Sequence, residues 1–226
     1  MDYTDTTIII PTINEEKNIG KLLGMINRLY KGARVIVADD GSTDRTREIA
    51  KANGARVLDR RKEKKGLAAS VISAAGLVKT SYFIVIDGDL QHPPEKIRNL
   101  VELLRKGYKV AVASRKRVDS RWPLLRRVES RTAMMLGRLK LMGKPFSRFD
   151  LMSGFFGCDT RFFLETYRKS PQRFVPEGFK ILFDLLKCLP KDEKVGQVWY
   201  VFGARSEGES KIGKKHVYFY LKSLVR

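Results

Sequence analysis

An α/β fold, with a mostly parallel sheet flanked by helices, is predicted by two features of the sequence. Short β-branched apolar runs alternate with helix-period patterns through the first half, which is the signature of βαβ units. Acidic residues directly follow those runs, at positions that fall on the carboxyl edge of a parallel sheet. The length, 226 residues, suits one such domain. With 43% hydrophobic residues the chain can bury a sizeable core, which excludes a disordered or fibrous protein.

Strands are expected over 7–11, 34–38, 55–58, 82–86 and 110–113, where apolar β-branched residues cluster. Helices are expected between them, over 15–30, 44–53, 67–78 and 94–106. The second helix has Ser42, Thr43 and Asp44 available as caps, and Gly54 follows it as a stop. Neither an internal repeat nor a low-complexity linker interrupts the chain, so residues 1–226 read as a single domain. Glu15 follows the first strand, Asp39 and Asp40 the second, Asp87 and Asp89 the fourth, and Ser114 and Arg115 the fifth. A ligand site is therefore expected where these loops converge.

Lysine and arginine number 45 against 25 acids, a formal charge of +20, which predicts attraction to nucleic acid, an anionic membrane or phosphorylated substrates. Residues 115–148 hold eleven basic side chains against two acids, Asp119 and Glu129. Trp122, Leu124, Leu125, Val128, Met134, Met135, Leu136, Leu139, Leu141 and Met142 are interleaved with them. That mixture at helical spacing suits a basic amphipathic helix lying on anionic headgroups, or else a core-facing helix with a solvated basic side. The opening, Met1-Asp2-Tyr3-Thr4-Asp5, is acidic and unlike a secretory leader. No window reaches the roughly 18 to 20 apolar residues of a membrane span, so peripheral attachment is expected. Cys158 and Cys188 are too few for a disulfide framework or a zinc site and read as small buried hydrophobes.

Asp87-Gly88-Asp89-Leu90-Gln91 follows the apolar run Tyr82-Phe83-Ile84-Val85-Ile86. Hard divalent cations take oxygen ligands, and carboxylates two apart around a glycine can reach a cation that also takes phosphate oxygens. Such a cation would neutralise charge on a departing nucleoside diphosphate. His92, ahead of Pro93-Pro94, reads as shaping the turn into the next helix rather than as a ligand. The run 60–65 reads as a solvated loop, although Lys65 at a helix mouth can approach phosphate.

Pro11-Thr12-Ile13-Asn14-Glu15, Ala38-Asp39-Asp40-Gly41-Ser42-Thr43-Asp44, Lys65-Gly66-Leu67 and Asp87-Gly88-Asp89-Leu90-Gln91-His92-Pro93-Pro94-Glu95 together resemble family 2 glycosyltransferases of the GT-A fold. Within that family the likeness is to the dolichol-phosphate mannose synthases. It is carried further by Ser114-Arg115, Trp122-Pro123 with Arg126, Asp150 with Ser153-Gly154-Phe155-Phe156, Gly178-Phe179-Lys180-Ile181-Leu182, and Phe202 with Arg205, Gly208, Ser210 and Lys211. The resemblance implies a nucleotide-sugar-binding half, 1–114, and an acceptor-binding, membrane-facing half, 115–226.

It also implies roles. Pro11, Ile13, Glu15, Ala38 and Asp40 would line the nucleoside pocket, with Ile13 standing where the family usually has tyrosine; Asp87 and Gly88 would also touch the nucleotide. Asp89 and Gln91 would hold Mg²⁺ or Mn²⁺. Lys180, Arg205 and Lys211 would meet the donor phosphates, and Arg115, Arg126 and Ser130 the acceptor phosphate, so that Asp89, Arg115 and Arg126 carry the chemistry. Gly203, Gly208 and Gly213 suit a lid that orders over the diphosphate.

The implied reaction is inverting transfer of a hexose, expected to be mannose from GDP-mannose, to dolichyl or another polyprenyl phosphate at the cytoplasmic face of a membrane. A small integral-membrane subunit is a further partner to consider. A lipid phosphate is already ionised at neutral pH and needs no general base, and arginine forks suit its oxygens. Three alternatives stay open: a UDP-glucose donor, a sugar-hydroxyl acceptor with Glu177 as base, and a basic nucleic-acid-binding module. The last would leave the metal motif without purpose.

Overall fold

The computed structural model of the chain describes residues 2–117, 124–203 and 214–226. Within them the strands are β1 (Thr6–Thr12), β2 (Arg34–Asp39), β3 (Arg56–Asp59), β4 (Tyr82–Val85), β5 (Val110–Arg117), β6 (Phe156–Asp159) and β7 (Val195–Val201). The helices are α1 (Glu16–Leu29), α2 (Thr46–Ala52), α3 (Leu67–Ala75), α4 (Ile97–Arg105), α5 (Leu124–Lys140), α6 (Thr160–Lys169), α7 (Ile181–Cys188) and α8 (Lys214–Val225). All the strands join one sheet in the order β3-β2-β1-β4-β6-β5-β7. The pairs are parallel except those made by β6, which runs antiparallel to both β4 and β5.

Side chains alternate between the faces of a strand, and β1 shows what that builds. Ile8 and Ile10 enter a core layer with Ile19, Leu22, Leu23 and Ile26 of α1 and Ile97, Leu100, Val101 and Leu104 of α4. Those apolar positions recur at helical spacing, so each helix turns one stripe inward. Ile9 enters the opposite layer with Val71 and Ala74 of α3 and with α7, where Ile181 through Leu186 are all buried. Ile9 is fully buried, and truncating it to alanine would cost about 2–5 kcal/mol.

The five strands and four helices expected from the sequence are all present, with three differences. Asp44 does not start α2 but caps it from outside, accepting from the Thr46 amide at 3.0 Å and from the Glu16 amide of α1 at 3.1 Å. The helix expected over 94–106 opens as a short 3₁₀ turn, Pro94–Lys96, whose first residue has the fixed φ that suits a helix start. β5 runs on to Arg117, and β6 and β7 were not anticipated. The boundary at 114 thus falls inside β5, and β6 and β7 of the second half extend the same sheet. Cys158 is buried, whereas Cys188 is only half-buried.

The connections place a site. From β1 the chain moves outward to β2 and β3, then returns to the other side of β1 for β4. That reversal opens a crevice beyond the carboxyl ends of β1 and β4. On the far side α8 is tied down by a buried polar network. Lys187 pairs with Asp184 at 2.8 Å and donates to the Ser223 carbonyl at 2.6 Å, and the Ser223 hydroxyl donates to Asp184.

Candidate active site

The β1–α1 and β2–α2 loops form the first wall of the crevice, and they are laced together. The Asn14 amide donates to the Ser42 hydroxyl and Asn14 Oδ1 accepts from the Thr43 amide, both at 2.8 Å. The Glu15 amide donates to Thr46 Oγ1 at 2.8 Å. Asn14 has a φ of 51°, a left-handed conformation that asparagine tolerates better than most residues. Asp39 is fully buried and accepts from the Ser42 amide at 2.9 Å and from Arg47 at 3.0 Å, so it holds the loop rather than facing a ligand.

Asp40, just past β2, is held by protein partners on both carboxylate oxygens. Its Oδ1 accepts from Arg60 at 2.6 Å and its Oδ2 from the Gly66 amide at 2.8 Å. Burial raises its carboxyl above the ordinary range, opposed by the Gly66 amide and the Arg60 charge. Arg60 is itself buried, with further bonds to Glu63, Ser70 and the Lys64 carbonyl. The solvated-loop reading therefore holds for residues 61–65, which are exposed, and fails for Arg60. Gly66 is required at the junction: a Cβ there would lie 2.3 Å from the Pro176 carbonyl oxygen, and its φ is +147°. That close approach brings residues 176–178 to the mouth of α3.

Pro11 and Ala38 are buried where the strands end, Ala38 fully, while Ile13 is 40% exposed above them. Gly88 packs beside Thr12 and Glu15, so a Cβ there would sit 3.5 Å from the Glu15 side chain. Asp89 is buried, and its Oδ1 accepts from the Gln91 amide at 3.1 Å across Leu90, whose φ of 62° folds the loop back. The Gln91 side-chain amide donates to the Gly203 carbonyl at 3.3 Å. That bond turns its Oε1 into the available donor oxygen.

Among the described residues, no cluster of three His, Cys, Asp or Glu side chains could enclose a metal ion. One carboxylate and one amide oxygen instead fit a cation that completes its shell from phosphate and water, as Mg²⁺ does.

The second wall carries cations. Arg115, close to the end of β5 at Arg117, forks onto Asp150 through Nε at 2.6 Å and Nη2 at 3.0 Å. Both side chains are largely buried, and the guanidinium also lies 5.4 Å from the Phe202 ring. Burial would raise the Asp150 carboxyl, but the Arg115 fork and the nearby Lys180 hold it below the ordinary range. Lys180 donates to the Met152 carbonyl at 2.9 Å and stands over the Phe179 ring at 4.2 Å. Burial and the Arg115 charge depress its ammonium to about 7, against the opposing pull of Asp150 and Asp87. Gly154 lets this wall close on the metal motif, since a Cβ there would lie 2.7 Å from Asp87 Oδ2.

The structure thus brings together Glu15, Asp87, Gly88, Asp89 and Gln91 on one side and Arg115 and Lys180 on the other. Arg126 and Ser130 belong to α5, but their side chains lie outside the described set; Arg205 and Lys211 lie outside the described residues altogether. Glu177, weighed as a base, pairs with Lys64 at 2.6 Å, which lowers its carboxyl below the ordinary range. Sequence reasoning missed Arg60 and Tyr200 as parts of the site. A strand signal at residues 195–201 would have pointed to Tyr200.

Residues 7–166 match the family described as Glycosyl transferase family 2. The chain is 36% identical to the dolichol-phosphate mannosyltransferase of Pyrococcus furiosus, over 97% of this chain but only 62% of that protein. It is 35% identical to the Saccharomyces cerevisiae protein of the same name, over 96% of this chain and 85% of that one. Among solved structures, glucosyl-3-phosphoglycerate synthase from Mycobacterium tuberculosis, in complex with Mn²⁺, UDP-glucose and phosphoglyceric acid, aligns with a TM-score of 0.69. The identity there is 21%, over 97% of this chain and 79% of that one, a likeness of fold.

Proposed function

The chain belongs to glycosyltransferase family 2, and from that premise we propose that it transfers mannose from GDP-mannose to dolichyl or another polyprenyl phosphate with inversion. The names of the Pyrococcus and yeast relatives support the sugar and the acceptor. The observation that carries the reading is the pair of largely buried cations, Arg115 and Lys180, beside Asp87. Two phosphate-bearing substrates need such charge between them, whereas a sugar hydroxyl would need a base. Glu177 is a poor one, because its ion pair with Lys64 lowers its carboxyl below the ordinary range.

In this reading Pro11, Ile13, Glu15, Ala38, Asp40, Asp87 and Gly88 receive the nucleoside end of the donor, and Lys180, with Arg205 and Lys211, its diphosphate. Arg115, Arg126 and Ser130 orient the acceptor phosphate. An acceptor oxygen attacks the anomeric carbon as the bond from that carbon to the diphosphate oxygen breaks, and the electron pair leaves on the nucleoside diphosphate. No proton moves, because the nucleophile is already an anion. Asp89 and Gln91 would hold Mg²⁺ or Mn²⁺, which would neutralise charge on the leaving diphosphate; the Mn²⁺ of the mycobacterial complex supports a divalent ion.

Peripheral membrane binding completes the proposal. Among the described residues, no helix is long and apolar enough to cross a membrane. Met135, Leu139 and Met142, on α5 and just beyond it, and Tyr218, Leu221 and Val225 on α8 are between 49% and 85% exposed. The two helices touch, for the Tyr220 hydroxyl donates to the Ala133 carbonyl, and Arg138 and Lys140 flank the apolar stripe. Apolar contact with a cationic border suits an anionic lipid surface, the cytoplasmic face being the one expected.

The test is to incubate the pure protein with Mn²⁺, labelled nucleotide sugars and dolichyl phosphate. Label from GDP-mannose should enter the organic phase. Transfer from UDP-glucose alone would overturn the donor, and label only in water-soluble saccharide the acceptor.

A further inference from the structure

His92 sits where a metal ligand would be sought, one residue past Gln91, yet both ring nitrogens are engaged by protein. Nε2 lies 3.0 Å from Asp87 Oδ2 and Nδ1 lies 2.8 Å from the Tyr200 hydroxyl. The residue is 3% exposed, and its ring is boxed by Phe155 and Phe202, each with its centroid at 5.3 Å, and by Tyr200 at 5.6 Å. Pro93 and Pro94 fix the backbone that follows, and the Pro94 carbonyl is in turn held by the Tyr30 hydroxyl at 2.6 Å. A rotamer change would have to break this box.

The geometry points to His92 as a positioning residue that sets the Asp87 carboxylate for the donor nucleotide, with Tyr200 setting the histidine; this rests on the proposed nucleotide-sugar reading of the site. An ionised carboxylate only accepts, so Nε2 carries the proton and donates to Asp87. In the neutral ring Nδ1 is then the acceptor, and the Tyr200 hydroxyl donates to it. Burial pushes the Tyr200 phenol above its ordinary range, which keeps that donor in place. Asp87 remains 31% exposed with its Oδ1 buried, so the oxygen left to meet a ligand is Oδ2, which His92 bonds and Gly154 approaches.

The segment just after β7 grips the neighbouring residue. The Gly203 amide donates to the Gln91 carbonyl at 3.0 Å, and the Gln91 side chain returns a bond to the Gly203 carbonyl. Tyr200 and Gly203, near the end of β7, therefore clamp His92 and Gln91 in succession. The nucleotide-contacting carboxylate and the metal-ligating amide are thus positioned from β7 and the residues just after it, a stretch that neither belongs to.

Three variants test this. His92→Phe keeps an aromatic ring in the box and removes both bonds; Tyr200→Phe removes one hydroxyl; His92→Gln restores a donor near the Nε2 position. Binding of GDP and of UDP with Mn²⁺ is measured by calorimetry, and donor and acceptor KM by initial rates. His92→Phe should weaken nucleotide binding and raise donor KM by roughly tenfold, with acceptor KM unchanged. Tyr200→Phe should move in the same direction by less, and His92→Gln should recover most of the loss. Parent-like nucleotide affinity in His92→Phe would overturn the assignment, as would equal losses in donor and acceptor KM with no recovery by glutamine. Failure of the parent to transfer mannose, with nucleotide binding intact, would overturn the substrate reading alone, because the binding data read His92 whatever sugar is moved.

Discussion

Nucleotide affinity should fall as pH rises above about 7, and Lys180 should be the cause. Burial and the neighbouring Arg115 charge depress its ammonium to about 7. In the free protein, then, about half of that charge is lost at neutral pH. A bound diphosphate would bring anionic oxygens to the amine and return it toward its ordinary range. Binding would take up a proton, and affinity would drop by roughly tenfold per pH unit above 7 until the bound amine also titrates. The nucleotide's terminal phosphate titrates near 6, so the window from about 7.5 to 9 isolates the lysine.

The stability of the free protein should move the other way. The folded amine has the lower pKa, so the unfolded chain binds more protons between about 7 and the ordinary 10.5, and unfolding becomes harder as pH rises through that window. Calorimetry of GDP binding with Mn²⁺, in two buffers of different ionisation enthalpy at pH 8, reads the uptake directly. Lys180→Arg keeps the charge at every pH and should bind without uptake and with a flatter pH profile. Affinity of the parent that is constant from pH 7.5 to 9, or uptake that persists in Lys180→Arg, would refute the reasoning.

Asp89→Asn should reduce turnover by orders of magnitude and a chelator should mimic it in the parent; full activity in chelator would reject the metal assignment. Arg115→Ala should weaken use of the acceptor by roughly tenfold or more in initial-rate measurements while donor affinity by calorimetry barely changes. It should also cost about 3–5 kcal/mol of stability in denaturant unfolding, because Asp150 would keep a buried charge without its fork. Sedimentation with anionic vesicles should show binding that weakens as salt is raised, and Leu139→Glu with Leu221→Glu should abolish it; binding indifferent to lipid charge would reject the surface.

Much of this architecture is legible in local pattern, and what is not has a physical reason. β1, β2 and β4 are continuous apolar runs because neighbours cover both of their faces, and the acids that follow them mark the carboxyl edge. β6 and β7 give a weaker signal, since each contains a glycine placed for close packing. A Cβ on Gly157 would lie 2.5 Å from Ile84 Cδ1, and one on Gly196 would lie 2.8 Å from Leu103 Cδ1. The acids and cations of the site can be found by their position after strands, but their partners cannot. Arg60 reaches Asp40 across 20 residues, Arg115 reaches Asp150 across 35, and His92 reaches Tyr200 across 108. Only the sheet order makes these pairs neighbours. A buried arginine inside the run 60–65, where every flanking residue is polar, is hidden for the same reason.

Strand order also sorts the charges of the crevice. β2, β1 and β4 deliver Asp40, Glu15, Asp87 and Asp89, whereas β5 and the entry to α7 deliver Arg115 and Lys180. A cation held on the acidic side would face Arg115, and Lys180 once a bound diphosphate restores its charge, across the reversal point. Two anionic substrates repel, and neither wall alone could hold both. The acidic wall can take a phosphate only through a metal, which would give the donor its metal dependence. In the proposed reading the basic wall would take phosphate directly, since the Arg115–Asp150 fork uses two of the five guanidinium N–H donors and leaves three outside the pair. The antiparallel β6 separates β4 from β5 in the sheet, and just ahead of it Gly154 and Phe155 bring the two walls back into contact through Asp87 and His92. A side chain at Gly154 should therefore press the two walls apart and disturb donor and acceptor use together, without removing any group that touches either.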